Sequence, residues 1–138
     1  MGTRSLTFVH EGAAAKALIN MYRQFDGYPS GHGKELYEFL RPIKMVNGFS
    51  GDSEIKQANG AGCLAAQMIA HFKDGVGGIY IQPVSATDCG QDYCYHVYAD
   101  DTNGITVKCF EMRANNRKEL LFNGTVEALG EFCNGADE

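Results

Sequence analysis

Alternation of apolar and polar positions marks out most of this chain. From Ser5 to His10, Leu6 and Phe8 alternate with Thr7 and Val9, the period-2 pattern of a strand. Glu11-Gly12 marks a turn. Ala17 to Phe25 then predicts a second strand, with Leu18, Asn20, Tyr22 and Gln24 on one face and Ile19, Met21, Arg23 and Phe25 on the other. The two read as a hairpin. A helix over Ala13–Gln24 is the competing reading, because Ala and Met are good helix formers. Gly27–Gly33 is a loop, and Lys34–Leu40 a short helix that Ser30 can cap and Pro42 stops.

Asn47–Asp52 is a polar connection. Leu64, Met68 and Phe72, four apart, predict a helix from Asn59 or Gly60 to about Lys73, and Asp74–Gly78 end it. Gly78–Val84, Tyr93–Ala99 and Ile105–Met112 alternate as strands, the last two joined by the turn Asp101-Thr102-Asn103-Gly104. Leu120–Phe122 suits a short strand, and Thr125–Cys133 a terminal helix with Val126, Leu129 and Phe132 inward. The tail from Asn134 to Glu138 is expected to fray. The fold class is α+β: a single domain over residues 1–138, with one antiparallel sheet covered by two or three helices.

Composition narrows what such a domain does. The apolar fraction of 44% and charged fraction of 21% are those of a globular protein; Trp is absent, and eight Phe and seven Tyr supply the large side chains. A net charge of −5 is poorly suited to wrapping nucleic acid, though compatible with a local basic pocket for a small anion. No apolar leader opens MGTRSLTFVH, and no stretch approaches a membrane span, so a cytoplasmic protein is expected. The odd cysteine count of five fits reduced thiols there, and Asn123-Gly124-Thr125 is expected to stay unglycosylated.

The candidate chemistry gathers around MYRQFDGYPSGHG, Met21 to Gly33. Arg23, Gln24 and Asp26 close a strand and share one sheet end. The backbone N–H groups of Ser30, Gly31, His32 and Gly33 sit where a helix begins, its positive dipole end facing the same region. Arg4, near the start of the paired strand, reaches the same rim if the register allows, and Tyr22 or Tyr28 can stack on a base. This set suits a phosphate or carboxylate. A second reading stands beside it: Gly27 and Pro29 only build a tight turn, and Arg23 only pairs with Asp26.

Other motifs carry less. Asn59-Gly60-Ala61-Gly62-Cys63 offers small residues at a helix start without a Walker or dinucleotide pattern. Cys89, Cys94 and His96 lack the spacing of a zinc site, so no metal is expected. Nothing local pairs Cys63 with His32 or His71. The tyrosines of Tyr93–Tyr98 suit a packed sheet face or an oligomer interface.

GTRSLT at Gly2–Thr7, followed by MYRQFDGYPSGHGKELYEFL at Met21–Leu40, resembles a family of small proteins encoded by bacteria and their phages. The resemblance ends at Leu40 and brings no catalytic residue with it. It implies a cytoplasmic setting and a phage origin. Small acidic phage proteins often act on host defence, either as sponges that sequester nucleotide-derived immune signals in a homo-oligomer or as protein mimics that block a defence enzyme. Three functions follow as expectations. The first is binding of a small phosphorylated or nucleotide-like molecule by a homo-oligomer, through Arg4, Arg23, Tyr28 and the loop amides, with no cofactor. The second is hydrolase or lyase chemistry with His32 as acid or base beside Asp26. The third is inhibition of a protein partner.

Overall fold

The computed structural model describes residues 2–14, 16–48 and 56–135. Its centre is β1 (Ser5–Glu11), in which Ser5 through His10 are all buried. Such burial on both faces requires cover above and below and partners on either side. The predicted hairpin supplies one partner: β2 (Ala17–Arg23) pairs antiparallel with β1, Ser5 opposite Arg23 and Thr7 opposite Met21. This resolves residues 17–23 as strand rather than helix, ending before Gln24.

The other partner corrects the expected antiparallel sheet. β6 (Tyr93–Asp100) runs parallel to β1, Ser5 opposite Tyr93 and Phe8 opposite His96. The six-stranded sheet is mixed, in the order β5-β2-β1-β6-β7-β8, with β5 (Ile79–Gln82), β7 (Gly104–Arg113) and β8 (Arg117–Thr125). The physical reason lies in the connection. β5 pairs outside β2, so the chain must pass back over β2 and β1 to place β6 on the far side, and it arrives in the direction of β1. Asn20 clasps that crossing segment, donating from Nδ2 to the carbonyls of Pro83 (3.1 Å) and Ala86 (2.9 Å).

A second, two-stranded parallel sheet was not expected: β3 (Lys44–Val46) with β4 (Gln57–Asn59). Three residues each leave too little alternation to read. Residues 49–52 of the predicted polar connection lie outside those described. β8 is longer than the predicted Leu120–Phe122, because its charged first half is exposed at a sheet edge and carries no apolar signal.

The helices α1 (Lys34–Leu40), α2 (Gly60–Phe72) and α3 (Val126–Gly135) all lie on one face. Leu36, Leu40, Leu64, Met68 and Leu129 bury against Val9, Met21, Tyr95, Val97 and Val107. Thr125 caps α3 by accepting from the Ala128 N–H at 3.2 Å. That helix includes Asn134 and Gly135, correcting the predicted start of the tail; residues 136–138 lie outside those described. Among the described residues no helix covers the opposite face of the sheet. It holds Leu6, Phe8, His10, Cys94, His96, Tyr98, Lys108 and Phe110, roofed in part by the segment between β5 and β6.

Candidate functional site

The loop after β2 is built by close approach. Pro29 opens one π-helical turn, Pro29–Gly33, that runs straight into α1. Ser30 therefore lies inside the turn and does not cap α1; the residue ahead of α1 is Gly33, with no side-chain cap. Gly27, Gly31 and Gly33 all keep negative φ, so their value is the missing Cβ. A Cβ on Gly27 would stand 2.8 Å from the Arg4 carbonyl carbon, one on Gly31 2.5 Å from the Asp26 oxygen, and one on Gly33 2.7 Å from Cys133 Sγ. Asp26 takes the left-handed conformation instead, at φ 60°.

Three of the four loop amides bond within the loop. Gly31 and Gly33 donate to the Tyr28 carbonyl and His32 to that of Asp26 (2.7 Å), so these N–H groups are already engaged within the loop. Arg23 is also committed. Its Nε donates to the Phe25 carbonyl (2.6 Å), its Nη1 to His32 Nδ1 (3.1 Å), and Nη1 and Nη2 grip both oxygens of Glu35 at 3.0 and 3.2 Å. Its ion pair is with Glu35, not the predicted Asp26, which accepts from Tyr28 OH at 3.1 Å. Gln24 is held through its N–H on the Gly78 carbonyl. Arg4 turns elsewhere, its Nη1 3.5 Å from the Gly90 carbonyl, so the two arginines serve different elements.

His32 is fully buried, and its chemistry follows from Arg23. A guanidinium only donates, so Nδ1 accepts, Nε2 carries the proton, and that proton goes to Thr7 Oγ1 at 2.7 Å. Burial first, then the Arg23 charge, lowers its pKa to about 3. His32 and Asp26 meet through the backbone, while their side chains have different partners. Thr7→Val preserves shape but orphans a buried N–H. Urea unfolding should show a loss of about 1–3 kcal/mol; an unchanged midpoint would contradict this tautomer.

The helix-free face presents a different assembly, one missed in the sequence. Phe8 stacks on His96 across β1 and β6 (centroids 4.8 Å apart, 9° between planes), and His10 stacks on Tyr98 (4.5 Å, 20°). His10 Nε2 lies 2.8 Å from His96 Nδ1, and His96 Nε2 lies 3.5 Å from Cys94 Sγ. Burial, then His10, Lys118 and Lys108, lowers the His96 pKa to about 4, while burial pushes the Cys94 thiol up to about 12. His96 is thus held neutral and Cys94 protonated, and no metal cluster occurs among the described residues.

Cations stand over these rings. Lys108 Nζ is 5.4 Å from the Tyr98 centroid and Lys118 Nζ 5.1 Å from that of Phe110. Two cavities open here: one of about 290 Å³ includes Phe8, His10, Lys16, Gln91, His96 and Lys118, the other of about 480 Å³ Tyr98, Asp100, Thr106 and Lys108. Asp100, the acid in the larger cavity, already accepts from the Thr102 and Asn103 N–H groups, bonds that hold its carboxyl below the usual range. By contrast, the hollow beside Arg23 is about 200 Å³ and is lined by Glu35 and Asp74 as well. The alternation of Phe8 with His10, and of Cys94 with His96 and Tyr98, was readable; the adjacency of β1 and β6 was not. The chain matches no protein-family model, no curated protein and no solved structure at a significant level.

Proposed function

We propose that this protein binds a small, negatively charged, ring-bearing molecule of the nucleotide type on the helix-free face of its sheet. The observation that carries the reading is the pairing of rings and cationic rim: the part-exposed His96 and Tyr98, backed by the buried Phe8 and His10, beneath Lys16, Lys108 and Lys118. In a chain of net charge −5, the smaller cavity, with Lys16 and Lys118 and no acid in its lining, is a local reversal of sign, while the larger sets Lys108 against Asp100. Rings accept a base by stacking, and ammonium groups accept phosphate. The Gly-rich loop supports the reading less, because Glu35 already balances Arg23 and three of the four loop amides are bonded. Sequestration as the purpose of binding draws support from the resemblance of the segment up to Leu40 to phage-encoded proteins.

Native mass spectrometry of gently purified protein, followed by calorimetric titration with nucleoside mono- and diphosphates, tests this. Micromolar binding is expected, with Lys118→Ala weakening it about tenfold or more, the worth of one charged hydrogen bond. Glu35→Gln should bind like the parent. Loss of affinity in Glu35→Gln but not in Lys118→Ala would return the site to the loop. A protein that stays empty against the whole panel at millimolar concentration would overturn the proposal.

A further inference from the structure

The two cavities lie on either side of a stacked pair of rings. His10 stands directly opposite Tyr98 in the β1–β6 register, and His96 directly opposite Lys108 in the β6–β7 register. In each pair one residue faces the smaller cavity and its partner the larger. The stacked pair is His10–Tyr98, with Lys108 Nζ lying over the Tyr98 ring. Each cavity thus has a ring surface, and a cation sits beside the stacked pair.

We infer that the ligand has two ring-bearing lobes joined through a phosphate: a dinucleotide, one base in each cavity and its bridging phosphate at Lys108. The inference rests on the proposed function and specifies its ligand class. The volumes agree with it. The cavities of about 290 and 480 Å³ each lie in the range of a single small-ligand site, and a mononucleotide leaves one of them empty. Lys118 and Lys16 border only the smaller cavity and Lys108 only the larger, so a one-lobed ligand meets only part of the positive charge. Covalent linkage of two lobes makes the second contact intramolecular, which commonly multiplies affinity by about 100-fold or more.

The test compares adenosine 5′-monophosphate with adenylyl-(3′→5′)-adenosine by calorimetry on the full chain. The dinucleotide carries less negative charge than the mononucleotide, so tighter binding cannot come from charge alone. It is expected to bind one per chain and about 100-fold more tightly. Thr106→Trp, an exposed position in the larger cavity whose folding is checked by thermal melting, should bring it down to the mononucleotide's affinity. Equal affinity for the two probes, or an advantage that survives Thr106→Trp, overturns the dinucleotide inference and leaves the binding site standing. Failure of both probes, where other members of the mononucleotide panel bind, overturns the dinucleotide inference alone; failure of the whole panel as well removes the site and the inference together.

Discussion

At pH 4.5 this protein is expected to have lost about 5 kcal/mol of its stability. His32 and His96 are held neutral, with pKa values lowered to about 3 and about 4. In the unfolded chain both titrate near 6.5. Below that pH the unfolded state takes up two protons that the native state refuses, so stability falls as pH falls. The stabilisation is complete above about pH 6.5 and is lost progressively down to the native values. Each imidazole contributes a slope of about 1.4 kcal/mol per pH unit, so two units cost about 5 kcal/mol in all. That is a third or more of the stability of a typical small domain, about 5–15 kcal/mol. Urea midpoints followed by circular dichroism from pH 7.5 to 4.5 give the measurement. His96→Phe, which keeps a ring over Phe8, should about halve the slope. A midpoint flat across this window would mean that neither imidazole is held neutral.

Gly27→Ala should be strongly destabilising. Gly27 has ordinary negative φ, so strain is not the issue. Its Cβ would meet Arg4 and Ser5 backbone atoms at 2.8–2.9 Å, in the stretch that leads into the central strand. Gly27 also donates to the Thr3 carbonyl (2.8 Å) and accepts from the buried Tyr95 hydroxyl (2.8 Å), so moving away breaks bonds at both ends. Overpacking against backbone at the upper end of its usual range costs about 3 kcal/mol. For a chain of this length that lowers the melting temperature by about 10 °C. Gly62→Ala is the matched contrast: a Cβ there meets nothing within 4 Å, inside α2. It should stabilise by about 0.5–1 kcal/mol. Scanning calorimetry of the two variants separates close approach from general glycine content; equal melting temperatures would contradict it.

Much of the fold was legible because alternation reports faces. Leu6 and Phe8 against Thr7 and Val9, Cys94 and His96 against Tyr95 and Val97, and the four-residue spacing of Leu64 and Met68 each declared an element and its sides. What alternation does not report is which strands lie side by side or in which direction. The parallel union of β1 and β6 depends on a crossing segment whose Pro, Ser and Thr residues look like any loop. The same gap hid the candidate site. Phe8, His10, His96 and Tyr98 were each assignable to a face, yet only the sheet order makes them one surface. In the Gly-rich loop the residue types suggested anion binding, while Glu35, in the first turn of α1, was the partner that matters. Its carboxylate had no mark in the pattern beyond a favourable charge near a helix start.

The position of β1 also shapes how the chain acquires its structure. Its hairpin with β2 is local, but Ser5 must wait for Tyr93 before its other edge is closed. On a ribosome adding about 5–20 residues each second, that interval lasts about 5–20 s. Throughout it, the strand destined to be the most enclosed in the protein displays an open row of backbone donors and acceptors. Pairing so distant in sequence is slow to form, and a bare strand edge is what another nascent chain can join. Productive folding of this protein is therefore a race between the arrival of β6 and the first encounter with a foreign strand.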